Sequence, residues 1–205
     1  MNVDEQFHLL RVALEARATL PMVVGVTSAQ PEDGAGFLSA GLGIAFAEAD
    51  YTTLVLEAEP SGLAHGGSNG LSAIESVRGT PNLYVASLTS TARRPKVQSL
   101  LEGLRHEFAV TIFSAGALPA SSAALEGIGV ADELLIALKL GRTAGRADRA
   151  LMSLLESYSS KIVGVVPTRP NASIVLERAE ATIPRATRET PRPRPAAATA
   201  VGLVR

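Results

Sequence analysis

Short, nearly continuous apolar runs recur along the chain from residue 4 to about residue 180. Leu134-Leu-Ile-Ala-Leu138 and Ile162-Val-Gly-Val-Val166 are two of them. Such runs are typical of parallel strands that are buried on both faces. The runs predict strands over residues 22–28, 52–57, 82–87, 109–114, 132–138 and 161–166.

The segments between these runs carry apolar residues at a spacing of three or four, which is typical of helices with one buried face. Leu151, Leu154, Leu155 and Tyr158 show this spacing. The spacing predicts helices over residues 4–18, 36–49, 71–78, 96–107, 120–127 and 143–158. Strands that alternate with helices predict an α/β fold, a three-layer α/β/α arrangement with a mostly parallel central sheet.

Composition narrows the possible chemistry. The chain has 205 residues, of which 46% are hydrophobic, so it can bury a full core. It has no cysteine and three scattered histidines, which argues against disulfides and against a Cys or His metal site. The N-terminus lacks the basic start of a signal peptide, and the apolar stretches are too short to span a membrane. A cytoplasmic protein is expected, which could reach the inner face of the membrane through a partner.

The last 22 residues differ from the rest. Residues 184–205 contain five arginines against one glutamate, a net charge of +4, and four prolines followed by an alanine-rich stretch. This composition cannot bury enough apolar surface to offset the entropy of ordering. We therefore predict a single domain over residues 1–183 and a basic, disordered tail over 184–205. The tail is either a solubilising segment or a basic arm that touches an acidic partner, lipid or nucleic acid.

The first predicted strand leads into a glycine-containing loop and then into an apolar helix. A P-loop nucleotidase carries Gly-Lys-Ser/Thr at this place, for the phosphates and for Mg²⁺. This chain has Gly34, Ala35 and Gly36 instead, and Phe37 follows them. Backbone N–H groups near Gly34 could still hold an anion. The alternative is that the loop is only a turn from strand to helix.

Several strings, in order, resemble the ATPase domain of bacterial tyrosine kinases that regulate capsule and exopolysaccharide export, a branch of the MinD/ParA-like P-loop proteins. The resemblance spans residues 4 to about 170 and implies a P-loop NTPase-like fold. The strings are Glu5-Gln-Phe-His-Leu-Leu-Arg11, Val24-Gly-Val-Thr-Ser-Ala-Gln-Pro31, Ile44-Ala-Phe-Ala-Glu-Ala49, Thr53-Leu-Val-Leu-Glu-Ala-Glu59, Asn82-Leu-Tyr-Val85, Leu100-Leu-Glu-Gly-Leu-Arg-His-Glu-Phe108, Gly141-Arg-Thr143 and Val163-Gly-Val-Val166.

The chain departs from this family at all three nucleotide motifs. Ala35 and Gly36 replace the lysine and the Ser/Thr of the phosphate loop, and each lost charge-assisted bond to phosphate costs about 1.5–3 kcal/mol. The second motif, Asp-x-Asp, is here Glu57-Ala-Glu59, which can also be read as polar residues at a strand end. In the third motif Ser114 replaces the aspartate. Only vestigial nucleotide binding is therefore expected, with no metal or cofactor required, although weak ATP or ADP binding stays open.

Two further features bear on activity and assembly. The family phosphorylates a tyrosine-rich tail, and this tail has no tyrosine; Tyr51, Tyr84 and Tyr158 are expected to be packing residues. The family's opening helix forms rings through Glu-x-x-Arg-x-x-Arg, and here Glu5 and Arg11 match while His8 replaces the first arginine. The resemblance implies a dimer or ring in which these residues form the interface. The alternative is that they are ordinary positions of an amphipathic helix.

These departures predict an inactive P-loop domain that serves as a structural or regulatory partner in polysaccharide synthesis or export. The resemblance implies that its partner is the cytoplasmic segment of a membrane polysaccharide co-polymerase. One alternative is a residual nucleotide-binding switch. Another is a positioning protein of the MinD/ParA type, although the tail gives only a weak signal for nucleic acid and lacks a membrane-binding face.

Overall fold

A seven-stranded sheet runs through the part of the chain that this computed structural model describes, residues 3–58, 70–88, 97–118 and 121–169. The strands are β1 (Met22–Ser28), β2 (Thr53–Glu57), β3 (Glu75–Ser76), β4 (Leu83–Ser87), β5 (Val110–Ala117), β6 (Glu133–Lys139) and β7 (Ile162–Thr168). Their order is β3-β4-β2-β5-β1-β6-β7, and every pair is parallel except β3 with β4. All six predicted strands are confirmed.

Helices cover both faces of the sheet. They are α1 (Val3–Glu15), α2 (Ala35–Glu48), α3 (Val97–Leu104), α4 (Ser122–Val130) and α5 (Arg146–Leu155), with short 3₁₀ helices at Pro31–Asp33 and Glu156–Lys161. One core lies between the sheet and α3, α4 and α5, and the other lies under α1 and α2. The predicted three-layer α/β/α architecture is confirmed.

Helix α2 is buried on nearly all sides, because it lies between the sheet and α1. Leu38, Leu42 and Phe46 are fully buried in it. From α1, the ring of Phe7 packs directly over Gly41, where an added Cβ would lie 2.2 Å from Phe7 Cζ. A glycine at this position lets the two helices approach closely. The contact sets how closely α1 packs on the middle of α2.

The prediction of a helix over residues 71–78 is wrong. Leu71 instead forms a bridge with Leu88, and Glu75–Ser76 forms the antiparallel strand β3 at the edge of the sheet. Gly70 and Gly79, both at positive φ, flank this segment. The spacing of Leu71 and Ile74 suggested a helix, but pairing with β4 satisfies the backbone here.

The tyrosines within the described ranges pack as expected. Tyr51 lies edge-on to Phe46, with ring centroids 5.8 Å apart, and Tyr84 lies edge-on to Phe108 at 5.6 Å. Tyr158 packs against the core on the α3, α4 and α5 side. The predicted tail over 184–205, and the upper end of the predicted domain, lie outside the described residues.

Candidate functional site

The glycine-containing loop joins the carboxyl end of β1 to α2. Its neighbours β5 and β6 lie on either side of β1, and in open α/β sheets such a crevice is the usual ligand site. Gly34 has φ +88°, a left-handed conformation that favours glycine. A Cβ there would also lie 3.0 Å from Thr168 Cγ2, at the end of β7. Both the backbone and the neighbouring side chain therefore require glycine.

Asp33, immediately before Gly34, turns its carboxylate into the protein and is completely buried. The backbone N–H of Gln30, in the same loop, donates to its Oδ2 at 3.0 Å. The N–H of Lys139 lies 3.4 Å from Oδ1. Thr168 Oγ1 donates to the backbone carbonyl of Asp33 at 2.7 Å. A phosphate loop directs its N–H groups at a bound anion, and here a carboxylate of the chain itself accepts one of them.

Arg142, from the turn between β6 and α5, pairs with this carboxylate through two parallel hydrogen bonds. Its Nε and Nη2 donate to Oδ1 and Oδ2 of Asp33, both at 2.6 Å. Its Nη1 donates to Asp148 Oδ2 at 2.6 Å, and Nη2 also contacts Asp148 Oδ1. The guanidinium side chain is 15% exposed. Asp33, Arg142 and Asp148 form a partly buried acidic cluster with a formal net charge of −1.

Hydrogen bonds within the cluster shift the pKa values of Asp148 and Arg142. Hydrogen bonds from Arg142 and from the Gly145 backbone hold the pKa of Asp148 well below its ordinary value. The same bonds to Asp148 and Asp33 raise the pKa of Arg142 above its already high ordinary value. Asp148 and Arg142 therefore stay ionised over the physiological range. The pairing fastens the β6–α5 turn to the loop after β1.

The lowered pKa predicts how stability changes with pH. A carboxyl whose pKa is lower in the folded state stabilises the protein above its unfolded pKa, about 3.9, and loses this contribution as the pH falls through the folded value. Asp148→Asn should therefore be less stable than the wild type at pH 7, and the gap should narrow as the pH falls below about 4. Urea denaturation of both proteins across this range measures the gap. A gap that stays constant down to pH 2 would contradict the assignment.

The other loop residues predicted for the site point in different directions. Ala35 is buried in the core under α2, and Gly36 is exposed, with open space where a Cβ would be. Phe37 turns toward α1, where its ring lies 5.4 Å from that of Phe7 at an angle of 59°. An aromatic ring thus joins α1 to the first turn of α2, at the position where the resembling family has a small polar residue.

Glu57 is the last residue of β2, and Ser114 lies on the neighbouring strand β5, which separates β2 from β1. They are register partners on β2 and β5, and Ser114 is in turn the partner of Val26 on β1. Glu57 accepts a hydrogen bond from Ser87 Oγ at 3.2 Å. Glu59 lies outside the described residues.

The strand predicted over residues 109–114 was expected to end at Ser114. Strand β5 extends beyond that residue. It shifts register at Ala115 and continues to Ala117, pairing Gly116 with Thr27 and Ala117 with Ser28. Thr27 Oγ1 donates to the carbonyl of Gly116 at 3.0 Å, and Leu118 N donates to the carbonyl of Ser28 at 2.9 Å. Small residues permit this close pairing. Ser114, which stands where the resembling family has its metal-binding aspartate, therefore lies within the sheet.

The predicted interface residues lie on α1. Glu5 is exposed. His8 Nε2 lies 3.2 Å from Glu48 Oε2 of α2, and Arg11 pairs with Glu15 one turn away. Burial and the neighbouring Glu15 raise the pKa of Tyr51 beside this pair. His8 and Arg11 thus make contacts within the chain, and their role in an oligomer stays a prediction.

Sequence reasoning missed the acidic cluster. Asp33 and Arg142 are 109 positions apart. Each stands in a polar turn, where a charged residue is ordinarily solvated. Only the aspartate directly before the loop glycine gave a local signal, and nothing in the sequence pattern named its partner.

In the described ranges, no group of three or more His, Cys, Asp or Glu is arranged to hold a metal ion. None of the helices described is long and apolar enough to cross a membrane.

The fold is similar to those of several solved structures. The kinase domain of the Escherichia coli tyrosine kinase ETK superposes with a TM-score of 0.63 at 19% identity, over 84% of this chain and 78% of that one. The VpsO kinase domain gives 0.60 at 20% identity, over 83% and 100%. The Pyrococcus furiosus cell division ATPase MinD gives 0.55 at 14% identity, over 72% and 71%.

No protein-family model matches the sequence, and no curated protein matches it. At identities of 14–20% the structural likeness establishes the fold. The chain has the three-layer α/β fold of bacterial tyrosine kinase domains and MinD-type P-loop ATPases, as the resembling strings implied.

Proposed function

We propose that this protein is a catalytically inactive P-loop-type domain that acts as a structural or regulatory partner in bacterial capsule or exopolysaccharide synthesis or export. The observation that carries the proposal is the partly buried acidic cluster of Asp33, Arg142 and Asp148. In it, the loop that would receive phosphate already contains the Asp33 carboxylate, and Arg142 holds that carboxylate with two hydrogen bonds.

Charge argues against nucleotide binding at this loop. The formal charges of the cluster sum to −1 next to the loop, and Ala35 offers no cation to a phosphate. Two like unit charges 4 Å apart repel by about 4 kcal/mol at an effective dielectric constant of 20. Arg142 does not replace the lysine, because its Nε, Nη1 and Nη2 all bond to carboxylates.

The arrangement of the strands supports the loss of metal chemistry. Ser114 is 8% exposed within β5, and that strand continues past it to pair with β1. A neutral hydroxyl cannot balance a divalent ion and a triphosphate. Phosphoryl transfer needs charge and position together, and the described part of this site supplies neither the lysine nor the aspartate.

The biological setting is proposed from the similar structures, which are tyrosine kinase domains, and from the strings shared with kinases of polysaccharide export. On this proposal the protein lies in the cytoplasm, at the inner face of the membrane. Its partner is the cytoplasmic segment of a polysaccharide co-polymerase, with or without self-association through α1. A surface, not a reaction, is then what the domain provides.

Nucleotide titration by calorimetry tests the loss of binding. With Mg²⁺ and about 1 mM ATP or ADP, the wild type should show no binding heat, which corresponds to a binding free energy weaker than about −4 kcal/mol. Ala35→Lys with Gly36→Ser restores the two missing groups, and the serine has open space at Gly36. Because Asp33 remains, this double variant should stay weak, and adding Asp33→Asn should tighten binding. Submillimolar binding by the wild type would sink the proposal.

The partner is tested on the same samples. The wild type and the triple variant (Asp33→Asn, Ala35→Lys, Gly36→Ser) should have the same molar mass in solution, and so the same oligomeric state. Both should bind a co-polymerase cytoplasmic segment equally well, whether or not ATP is present. Binding that requires nucleotide would favour the residual switch instead. Circular dichroism of each variant checks that the fold is kept.

A further inference from the structure

A concave site lies at the turn that joins β3 to β4. Its volume is about 390 Å³, at the small end of the range of about 300–1,000 Å³ that is usual for ligand pockets. The turn stands at the amino end of β4, whereas the loop of Asp33 follows the carboxyl end of β1. Because β1, β5, β2 and β4 all run parallel, the two places lie at opposite edges of the sheet. The pocket is therefore distinct from the acidic cluster.

The residues that line this pocket carry no charge. Four of them have a hydroxyl or an amide in the side chain, namely Ser76, Thr80, Asn82 and Tyr84. Within the described ranges, none of these four side chains makes a hydrogen bond to another part of the protein. Their donors and acceptors are therefore available to a ligand.

The backbone of the turn holds Asn82 in place. Asn82 has φ +65°, a left-handed conformation that asparagine adopts more readily than most residues. Its carbonyl accepts a hydrogen bond from the N–H of Thr53 at 2.8 Å, which ties the turn to the start of β2. The N–H of Val77 donates to the carbonyl of Leu83 at 2.9 Å across the turn. A ligand would thus meet an amide that is already positioned, which lowers the entropic cost of binding.

The chemistry of the lining selects the kind of ligand. Hydroxyl and amide groups both donate and accept hydrogen bonds, as the hydroxyls of a sugar do. A phosphate or a carboxylate favours charged donors such as arginine, and a hard metal ion needs carboxylates; the lining has neither. Pro81 and the ring of Tyr84 add apolar surface that suits the C–H face of a sugar ring. The Tyr84 ring is itself held edge-on to Phe108.

We propose that the pocket at the β3–β4 turn binds one ring of a neutral sugar, with hydrogen bonds to Asn82 and Thr80 and apolar contact with Pro81. The sugar is either a free monosaccharide or the end of a longer chain, since both present the same hydroxyls. This binding does not depend on the proposed loss of nucleotide chemistry, because the pocket and the Asp33 loop share no residue.

Nuclear magnetic resonance of the ¹⁵N-labelled full-length protein tests the site. Glucose, galactose and N-acetylglucosamine are added singly, each as the free sugar and as the methyl glycoside, with sodium glucuronate and sodium phosphate as charged probes. At least one neutral sugar should shift the amide signals of Gly79, Thr80, Asn82 and Tyr84, with a Kd of about 1–10 mM for a ligand of about twelve non-hydrogen atoms. Equal binding of its methyl glycoside would assign the end of a chain, and binding of the free sugar alone a monosaccharide.

Two variants each remove one hydrogen-bonding group while keeping the shape of the turn. Asn82→Gly deletes the amide, and glycine adopts the positive φ of this position readily. Thr80→Val replaces the hydroxyl with a methyl group of similar size. Each should raise the Kd about fivefold, the usual effect of losing one neutral hydrogen bond. Thr143→Val is the matched control, because Thr143 is exposed in the turn after β6 at the other edge of the sheet, and its Kd should equal that of the wild type.

Three results would overturn the proposal. One is that no neutral sugar shifts these signals at concentrations up to about 50 mM, well above the expected Kd. Another is that glucuronate or phosphate binds here more tightly than every neutral sugar. The third is equal affinity of both pocket variants and Thr143→Val, with the same spectra showing that each variant is folded. Nucleotide binding at the Asp33 loop is measured separately by calorimetry, so failure of one proposal leaves the other standing.

Discussion

Replacing Arg142 with methionine should lower the free energy of unfolding by about 3–5 kcal/mol, the range measured when one partner of a buried ion pair is removed. The change leaves the fully buried Asp33 carboxylate without its counterion and without two hydrogen bonds. Asp148 loses the same partner. Methionine keeps most of the side-chain volume, so the loss reports the charge and the hydrogen bonds more than a cavity.

Urea denaturation followed by circular dichroism measures this loss. Arg149→Met is the matched control, because Arg149 is exposed in α5, the helix that follows the Arg142 turn, and its effect should stay within about 0.5 kcal/mol. Adding Asp33→Asn to Arg142→Met should recover part of the stability, since it removes the unpaired buried charge. A loss below about 1 kcal/mol for Arg142→Met alone would show that the cluster is not needed for the fold.

Gly127→Ala should destabilise the protein by about 1–3 kcal/mol, the usual cost of overpacking. Gly127 lies in α4, directly over Phe113 of β5, and an added Cβ would lie 2.1 Å from Phe113 Cε1. Phe113 is fully buried, so core residues surround its ring on the α4 side of the sheet. Either α4 must lift from the sheet or the ring must leave its preferred rotamer.

The matched control is Gly103→Ala in α3, where the added Cβ meets nothing within 4 Å. In a helix with free space, alanine is favoured over glycine by about 0.5–1 kcal/mol, so this variant should be as stable as the wild type or slightly more stable. Thermal unfolding of both variants gives the comparison. Adding Phe113→Leu to Gly127→Ala should restore part of the loss. Equal stability of the two alanine variants would contradict the close packing of α4 on β5.

Most of the sheet could be predicted because its strands are buried on both faces. Strands such as β1, with all seven residues buried, appear in the sequence as apolar runs that little else produces. The end of β5 could not be predicted in this way. Its last residues are small, and they continue the strand because they pair with Thr27 and Ser28 of β1.

The site was only partly predictable for a related reason. The positions of Gly34 and Glu57 follow from the apolar runs of β1 and β2 that lead to them, whereas Ser114 lies within β5 and not at its end. The pairing of Asp33 with Arg142 joins two turns that are far apart in sequence, and no local pattern encodes such a partner. The same holds for segment 71–78, where pairing with the neighbouring strand β4 decided between helix and strand.

Thr168 joins the loop after β1 to β7, the last described strand on one side of the sheet. The loop begins at a central strand, yet its Asp33 carbonyl is held by a hydroxyl at the end of β7, the last strand on that side in the described part of the sheet. Strand margins open more readily than sheet centres, and segments that share bonds open together as one cooperative unit. The loop should therefore loosen when the periphery of the domain loosens, even while the core strands on either side of it stay closed.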